Sequence, residues 1–392
     1  MPEASILGGA VRPFGRCQDG TTPRDWARDV VRDALKNAGI GRNDLDSVVV
    51  AVESDHLMLQ LSPGALLADE VGCYGVSLHR VEAGGASGAA GVASAVAQVK
   101  AGLANAVLVL GVEHAASHLR GRDVAGLYGL SFDADIEGFA GFLPIHHYAL
   151  SMQLFMAEFN ITPQDLDEVV VRNRRNALAN PWAHRPADLT AGEVAATDMI
   201  STPYRRAHCS PLSDGAAAIV IASDQWAPRQ NRRRVRISGT ASANDRVRLG
   251  DRASPGRFLA KRTAFAKACA MAGITNGARS FQAVEVYDAF AGAELQALEA
   301  LGLHGDVSFR QALDEGRLYG DGAVGVNLSG GLIGQGAAPG ATGIAQILFL
   351  ERLMSGRVEA PGQQTRTAPD RTMADAHGGV GTVCFSHILE GE

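Results

Sequence analysis

DWARDVVRDALKNAG (25–39), then Ile40, a short acidic linker and SVVVAV (47–52), is a passage this chain states twice. The second statement is AKRTAFAKACAMAG (260–273), then Ile274, another short linker and QAVEVY (282–287). In each copy apolar residues recur at helical spacing and a glycine, Gly39 or Gly273, stops the helix. A β-rich run follows. The offset is about 234 residues. Further along, a Gly/Ala-rich turn and helix at 84–102 is matched by another at 329–354. Each half then closes on a small-residue turn and a strand: SDGAAAIVIA (213–222) and GGVGTVCFSHI (378–388). Self-similarity at a long offset indicates a duplicated architecture. Strands alternating with helices predict α/β layers built on mainly parallel sheets. AVLVLGV (106–112) is apolar throughout, as for a strand buried on both faces.

The halves differ in length. Between the strand at 106–112 and the one at 215–222 lies an insertion too long for a plain crossover. It holds Gly-, Asp- and His-rich turns (114–147), one predicted helix at 163–179 and a Pro-punctuated stretch to 211. An insertion of that length reads as a loop domain covering a site, or as an excursion that makes a dimer contact. The division is 1–230 for the first half, with the loop domain at about 114–211, and 231–392 for the second. Arg229, Arg232, Arg233, Arg234 and Arg236 cluster between the halves. They read as a solvated linker, with a phosphate contact as the alternative.

Composition narrows the class. Glycine supplies 46 of 392 residues, well above the usual share of about 7%. Hydrophobic residues are 46% but aromatics only 6%, so the core is built from small side chains. Lys and Arg number 36 against 42 Asp and Glu, a net charge of −6, which argues against a nucleic-acid footprint. The cysteines are Cys17, Cys73, Cys209, Cys269 and Cys384. An odd count without any C-x-x-C pair argues against a disulfide framework or a cysteine-type zinc site. Reduced thiols in a cytoplasmic protein are the expectation. No basic n-region precedes an apolar stretch at the N-terminus, and no run reaches the length of a membrane span, so neither a signal peptide nor a span is expected.

Five segments carry a family resemblance: VEAGGASGAAG (81–91), CSPLSDGAAAIVIAS (209–223), VEVYDAF (284–290), NLSGGLIGQGAAPGATG (327–343) and HGGVGTVCFSHIL (377–389). In order and spacing they resemble the thiolase superfamily, in its sterol-carrier-protein-x and lipid-transfer branch. The resemblance covers essentially the whole chain. It implies a duplicated thiolase fold in five αβαβα layers with the loop domain inserted in the first half, a homodimer as minimal unit, and a CoA thioester as substrate with no bound cofactor.

The resemblance also exposes losses. Thiolases carry a cysteine nucleophile at the N-terminus of a buried helix, where dipole and backbone N–H groups favour the thiolate. Here that position is Gly85, which cannot form an acyl-enzyme. Ser87 matches a structural serine. The family's catalytic histidine falls on Ala337. The His-Asp-Cys-Phe or Asn-Glu-Ala-Phe turn reads Tyr287-Asp288-Ala289-Phe290, so Tyr287 is expected to point into the pocket and Asp288 to bond the turn. A cysteine or histidine before the last glycine loop falls on Asp375, with His377 two residues on; which of them lines the site stays open. The glycine loops persist: Gly85, Gly378, Gly379 and Gly381 keep N–H groups that could form an oxyanion hole.

Glycine for cysteine and a Tyr-Asp-x-Phe turn are features shared with thiolase-like aldolases of steroid side-chain degradation. That similarity implies retro-aldol cleavage of a β-hydroxyacyl-CoA, possession of a small OB-fold and zinc-ribbon partner, and Tyr287 as candidate base or proton relay. Gly85, His377, Gly378 and Gly379 would hold the thioester. The aldolases place a second tyrosine where Ala337 stands; Tyr148 and Tyr319 are the other tyrosines considered. A non-catalytic subunit that binds acyl-CoA or scaffolds a partner is the alternative, and the missing residues disfavour a thiolase-type acyltransferase. His146 and His147 read as loop-domain residues, Glu113, His114 and His118 as surface or loop residues, His208 and Cys209 as turn supports, and Cys384 as a buried inert thiol. The Gly-x-Gly patterns are not dinucleotide fingerprints.

Overall fold

Twelve strands organise the chain in this computed structural model, which describes residues 2–119, 121–138, 140–228, 232–319, 324–358 and 368–392. The first half contains β1 (Ala4–Val11), β2 (Ser47–Ala51), β3 (Ser77–Val81), β4 (Ala106–His114), a small hairpin of β5 (Met199–Ser201) and β6 (Tyr204–Arg205), and β7 (Asp214–Ser223). The second contains β8 (Val235–Asn244), β9 (Ala283–Glu285), β10 (Gly325–Val326), β11 (Arg371–Gly378) and β12 (Val383–Gly391). The spatial order of the first half is β3-β2-β4-β7-β1, and of the second β10-β9-β11-β12-β8. Each strand of the large sheet in one half therefore has a counterpart in the other, the β5–β6 hairpin standing apart. The pairing senses repeat as well. β2 runs parallel to β3 and β4, as β9 does to β10 and β11, and the remaining pairs within each half are antiparallel. The duplication read from the sequence is thus a duplication of topology.

Each half is mixed rather than mainly parallel. The long excursion after β4 returns the chain antiparallel to it, and the second half replaces that excursion by a tight turn from β11 into β12. The stretch 378–388 is accordingly the hairpin turn and strand that the sequence suggests. The two five-stranded units join through a short antiparallel contact, Ser5 with Arg236 and Ile6 with Val235.

The layers follow from burial. The helices Ser87–Lys100 and Pro339–Met354 pack against each other and against strands of both halves. Nearly all of the second is buried, and Gly88 and Gly343 let the two backbones approach: a Cβ on Gly88 would lie 2.7 Å from the Gly340 carbonyl. The helix Pro23–Ala38 covers the outer face of the first sheet, with Trp26, Val31 and Ala34 fully buried. Leu259–Met271 covers the second. Outside it lie helices of the insertion, Pro144–Phe159 and Pro163–Asn176, packed on Ala291–Ala300. The insertion thus holds a helix, Pro144–Phe159, where only turns were read before residue 147; buried Tyr148 opens its second turn. Arg229 lies outside the described residues. Its neighbours are not a solvated linker. Arg236 pairs with Glu390 at 3.2 Å and Glu392 at 3.1 Å, and Arg233 pairs with Asp370 and donates to the Pro369 carbonyl, because the link runs straight into β8 beside the end of β12.

Candidate active site

The parallel strands of both halves end at the same place. β2 stops just before Glu53, β3 runs into the turn at 83–86, β4 ends at Glu113 and His114, β9 leads to Tyr287, and β11 carries His377. Crevices beyond the carboxyl ends of parallel strands are where α/β folds hold ligands. Here they enclose a cavity of about 390 Å³. Gly85, Tyr287, His377 and Gly379 line it together, and the insertion roofs it with apolar side chains such as Val124, Phe132 and Leu143. Gly378 is not in the lining. Its lack of a side chain lets the turn pack on β11: a Cβ there would sit 2.2 Å from the Ala83 carbonyl.

Gly85 and Tyr287 are complementary. A Cβ at 85 would lie 2.5 Å from the Tyr287 hydroxyl oxygen and 2.7 Å from the His377 carbonyl. The phenol fills the space a nucleophile's side chain would need. Ser87 offers no substitute, because its hydroxyl accepts from Ala83 N–H (3.0 Å) and donates to the Gly84 carbonyl (2.7 Å). The 3₁₀ turn is closed by Ala86 N–H to Ala83 and Ser87 N–H to Gly84, which leaves the Gly85 N–H outside its ladder. The Gly379 N–H has no hydrogen bond among the described residues. Ala337 also lines the cavity and puts only a methyl group there.

Tyr287 is held from behind. Its N–H donates to Asp375 Oδ1 at 2.9 Å, and Asp375 forms a fully buried ion pair with Lys261. Asp375 is therefore a support, and His377, two residues along the same strand face, is the one at the cavity wall. Burial, then the charges of Glu53 and other neighbours, raises the Tyr287 phenol well above its ordinary value. It stays protonated at neutral pH, which suits a donor and not a base. Asp288 points away and accepts from Leu332 N–H (2.5 Å) and Asn173 (2.8 Å).

His377 Nε2 lies 2.7 Å from the Tyr148 hydroxyl, which is 2.6 Å from the Gly379 carbonyl. That carbonyl can only accept, so the phenol proton goes to it and Nε2 must carry the hydrogen donated to the phenol oxygen. Nδ1 then holds a bare lone pair, and it is buried with no hydrogen-bond partner among the described residues. Burial, Lys261 and Arg252 depress the imidazole well below its ordinary value. Tyr319 is elsewhere, bonded to Glu294 at 2.8 Å beneath Arg172.

Two ionisable lining residues escaped the sequence reading. Glu53 and Tyr128 meet at the wall, the Tyr128 hydroxyl donating to Glu53 Oε2 at 2.8 Å. The repeat itself carried a signal for Glu53, since it precedes Tyr287 by 234 residues. Both lie two positions beyond equivalent strand ends, Ala51 and Glu285. Burial pushes Glu53 up to about 7, opposed by the Tyr128 bond. Glu113 is not at the surface. It is fully buried, and its Oε2 accepts the N–H groups of Glu53 and Gly340, each at 3.0 Å.

The other residues singled out lie off the site's chemistry. His147 stacks on Phe132 at 3.9 Å, and His146 Nδ1 accepts the Leu143 N–H at 3.0 Å. His114 and His118 stack on each other beside Trp26. His208 bonds Asp167 at 2.8 Å, and Cys384 is buried with its thiol pushed up to about 12 by burial. Among the described residues no cluster of His, Cys, Asp and Glu could hold a metal ion, and no helix is long and apolar enough to cross a membrane.

Residues 5–188 match the family "Thiolase, N-terminal domain" and residues 241–391 match "Thiolase C-terminal domain-like". The chain is 31% identical to an acetyl-CoA acetyltransferase of Methanothermobacter thermautotrophicus over 390 residues, covering 99% of this chain and all of that one. It is 26% identical to sterol carrier protein 2 of Gallus gallus over 378 residues, 91% of this chain and 67% of that one. Among solved structures, an Ltp2-ChsH2(DUF35) aldolase superposes with a TM-score of 0.81 at 22% identity, covering 99% and 98% of the two chains.

Proposed function

We propose that this chain, which belongs to the thiolase superfamily in its sterol-carrier-protein-x-like part, is a carbon–carbon lyase that cleaves a β-hydroxyacyl-CoA by a retro-aldol route. The observation that carries the reading is the Gly85–Tyr287 fit. Position 85 has neither a side chain nor room for one to form an acyl-enzyme, yet polar groups still surround the cavity. Retro-aldol cleavage needs no covalent intermediate. The β-hydroxyl loses its proton and its oxygen forms a carbonyl. The Cα–Cβ bond breaks, and its electron pair passes to the thioester as an enolate. The N–H groups of Gly85 and Gly379 would hold the enolate oxygen. Tyr287, protonated and facing the cavity, would return a proton to the α-carbon. The His377–Tyr148 pair fixes the glycine turn, and the apolar roof suits a bulky acyl chain, a steroid side chain among the options. A small OB-fold and zinc-ribbon partner fits this reading, supported by the partnered aldolase among the similar structures. The loss of cysteine and histidine also suits a non-catalytic subunit, which would co-purify with a cysteine-bearing thiolase and turn over nothing by itself.

The test is product analysis. The protein, alone and with any co-encoded partner, is incubated with β-hydroxyacyl-CoAs bearing a tertiary β-carbon. A ketone plus a shortened acyl-CoA is expected, with kcat lowered about 10²–10³-fold in Tyr287→Phe. No cleavage under either condition would refute the lyase reading. Full activity in Tyr287→Phe would refute its role.

A further inference from the structure

The retro-aldol route needs a group that takes the β-hydroxyl proton, and Tyr287, held protonated, cannot. Building on the lyase reading, we infer that Glu53 is that base, poised by Tyr128.

Geometry places Glu53 for the task. It follows the carboxyl end of β2 and faces the same cavity as Gly85 and Tyr287. In the duplicated fold it holds the first-half position that Tyr287 holds in the second. The two proton-handling groups thus enter one cavity from equivalent places in the two halves. Its main chain is fixed, since Glu113 accepts the Glu53 N–H at 3.0 Å. Its side chain is oriented by the Tyr128 hydroxyl at 2.8 Å, which occupies lone pairs of Oε2. No hydrogen bond to Oε1 is made among the described residues, and that atom is not sealed off. One carboxylate oxygen is thereby held and the other left free to accept.

Glu53 also has a way to shed the proton. Glu53, Tyr128, Ser131 and Gly379 line a second cavity of about 400 Å³, whose other walls include Ser54, His56 and Glu82. Glu53 forms part of the partition between the substrate chamber and this second one, where Ser54, His56 and Glu82 stand among Leu57, Leu127 and Leu130. The groups that face it from neighbouring elements are Glu113 from β4, Tyr128 from the insertion, Tyr287 from the second half, and Glu82 and His56 across the second cavity; Arg80 acts on Glu113. Burial is the main influence on Glu53 and keeps it far more basic than a free carboxylate, while the Tyr128 bond opposes it.

The proton count balances without any co-reactant. Glu53 takes one proton from the hydroxyl, Tyr287 gives one to the α-carbon, and the two groups return to their starting states once Glu53 loses its proton to water by way of the second cavity and Tyr287 takes one from water. His377 is the competing base. Its free Nδ1 has a lone pair, but burial and two nearby cations make it a weak proton acceptor.

The experiment compares kcat, KM and the pH profile of kcat/KM for the wild type, Glu53→Gln, Tyr128→Phe and His377→Asn, using a β-hydroxyacyl-CoA that the wild type cleaves. Glu53→Gln keeps the shape and is expected to lower kcat by about 10²–10⁴-fold, with KM within about threefold and the acid limb abolished. Tyr128→Phe removes a bond that favours the carboxylate, so its acid limb moves to higher pH. A purely structural role for Glu53 would leave the limb in place. Glu53→Gln within about threefold of wild-type kcat would overturn the assignment and leave the lyase reading intact, as would a lost limb in His377→Asn alone. A wild type that cleaves no β-hydroxyacyl-CoA would bring down the lyase reading, and this assignment with it.

Discussion

Gly85→Ala adds one methyl group where the first half meets Tyr287 and His377 of the second. The Gly85 backbone is outside the left-handed region, so alanine is not excluded by φ. The cost must come from contacts. Ordinary contact begins near 3.4 Å, while the new Cβ would stand 2.5 Å from the Tyr287 oxygen and 2.7 Å from the His377 carbonyl. Relief requires movements of about 0.9 Å and 0.7 Å. Neither neighbour moves easily: Tyr287 is pinned through its N–H to Asp375, and the carbonyl belongs to β11. Overpacking of this kind costs about 1–3 kcal/mol. Alanine also restricts the unfolded chain, which offsets about 0.4–1 kcal/mol. A double-mutant cycle with Tyr287→Leu cancels that entropy and isolates the contact. With the ring removed only the carbonyl clash persists, so the alanine penalty should fall by roughly 1 kcal/mol. Urea unfolding with matched m-values measures it. Equal penalties in both backgrounds, within the usual additivity of about 0.3–0.5 kcal/mol, would refute the claim that Tyr287 replaces a side chain at 85.

Three further outcomes follow from named contacts. Lys261→Met leaves Asp375 as an uncompensated buried charge, which should cost about 3–5 kcal/mol in urea unfolding. Tyr148→Phe strips the partner from both His377 Nε2 and the Gly379 carbonyl; a loss of about 1–3 kcal/mol in stability is expected, with kcat falling more than KM rises. β3 is an exposed edge of the large sheet, a surface that invites pairing. If the homodimer that the family resemblance implies forms across this edge, it should dissociate in Leu78→Arg, read by light scattering on size exclusion. A dimer of unchanged strength would place the interface elsewhere.

Much of the scaffold was legible because it is local. The helix at 25–39 and its echo at 260–273 share apolar spacing and stop glycines, and those signals survive divergence between halves. The helix Pro144–Phe159 was lost because PIHHYALSMQLFMAEF has little amphipathic contrast and opens on two histidines that read as a turn. β11 was lost because TMADAHG has no run of β-branched or aromatic residues and carries Asp375 and His377, which are buried by pairing and packing that only the tertiary structure supplies. In the site, Gly85, Tyr287 and His377 could be read because turn motifs position them. Gly379 followed from the same glycine loop, whereas Gly378 turned out to serve packing. Glu53 could not be read as a site residue from SVVVAVES alone. Its burial, its Tyr128 partner from 75 residues away and its place opposite Tyr287 are properties of the assembled halves.

The central claim is carbon–carbon cleavage without an acyl-enzyme. One turnover experiment in D₂O tests it most directly, with intact-protein and product masses read from the same sample. The account predicts an unmodified protein mass throughout, and a shortened acyl-CoA carrying one deuterium on the carbon that lost its neighbour. An acyl adduct on the protein, or a shortened acyl-CoA formed only when free CoA is supplied, would contradict it.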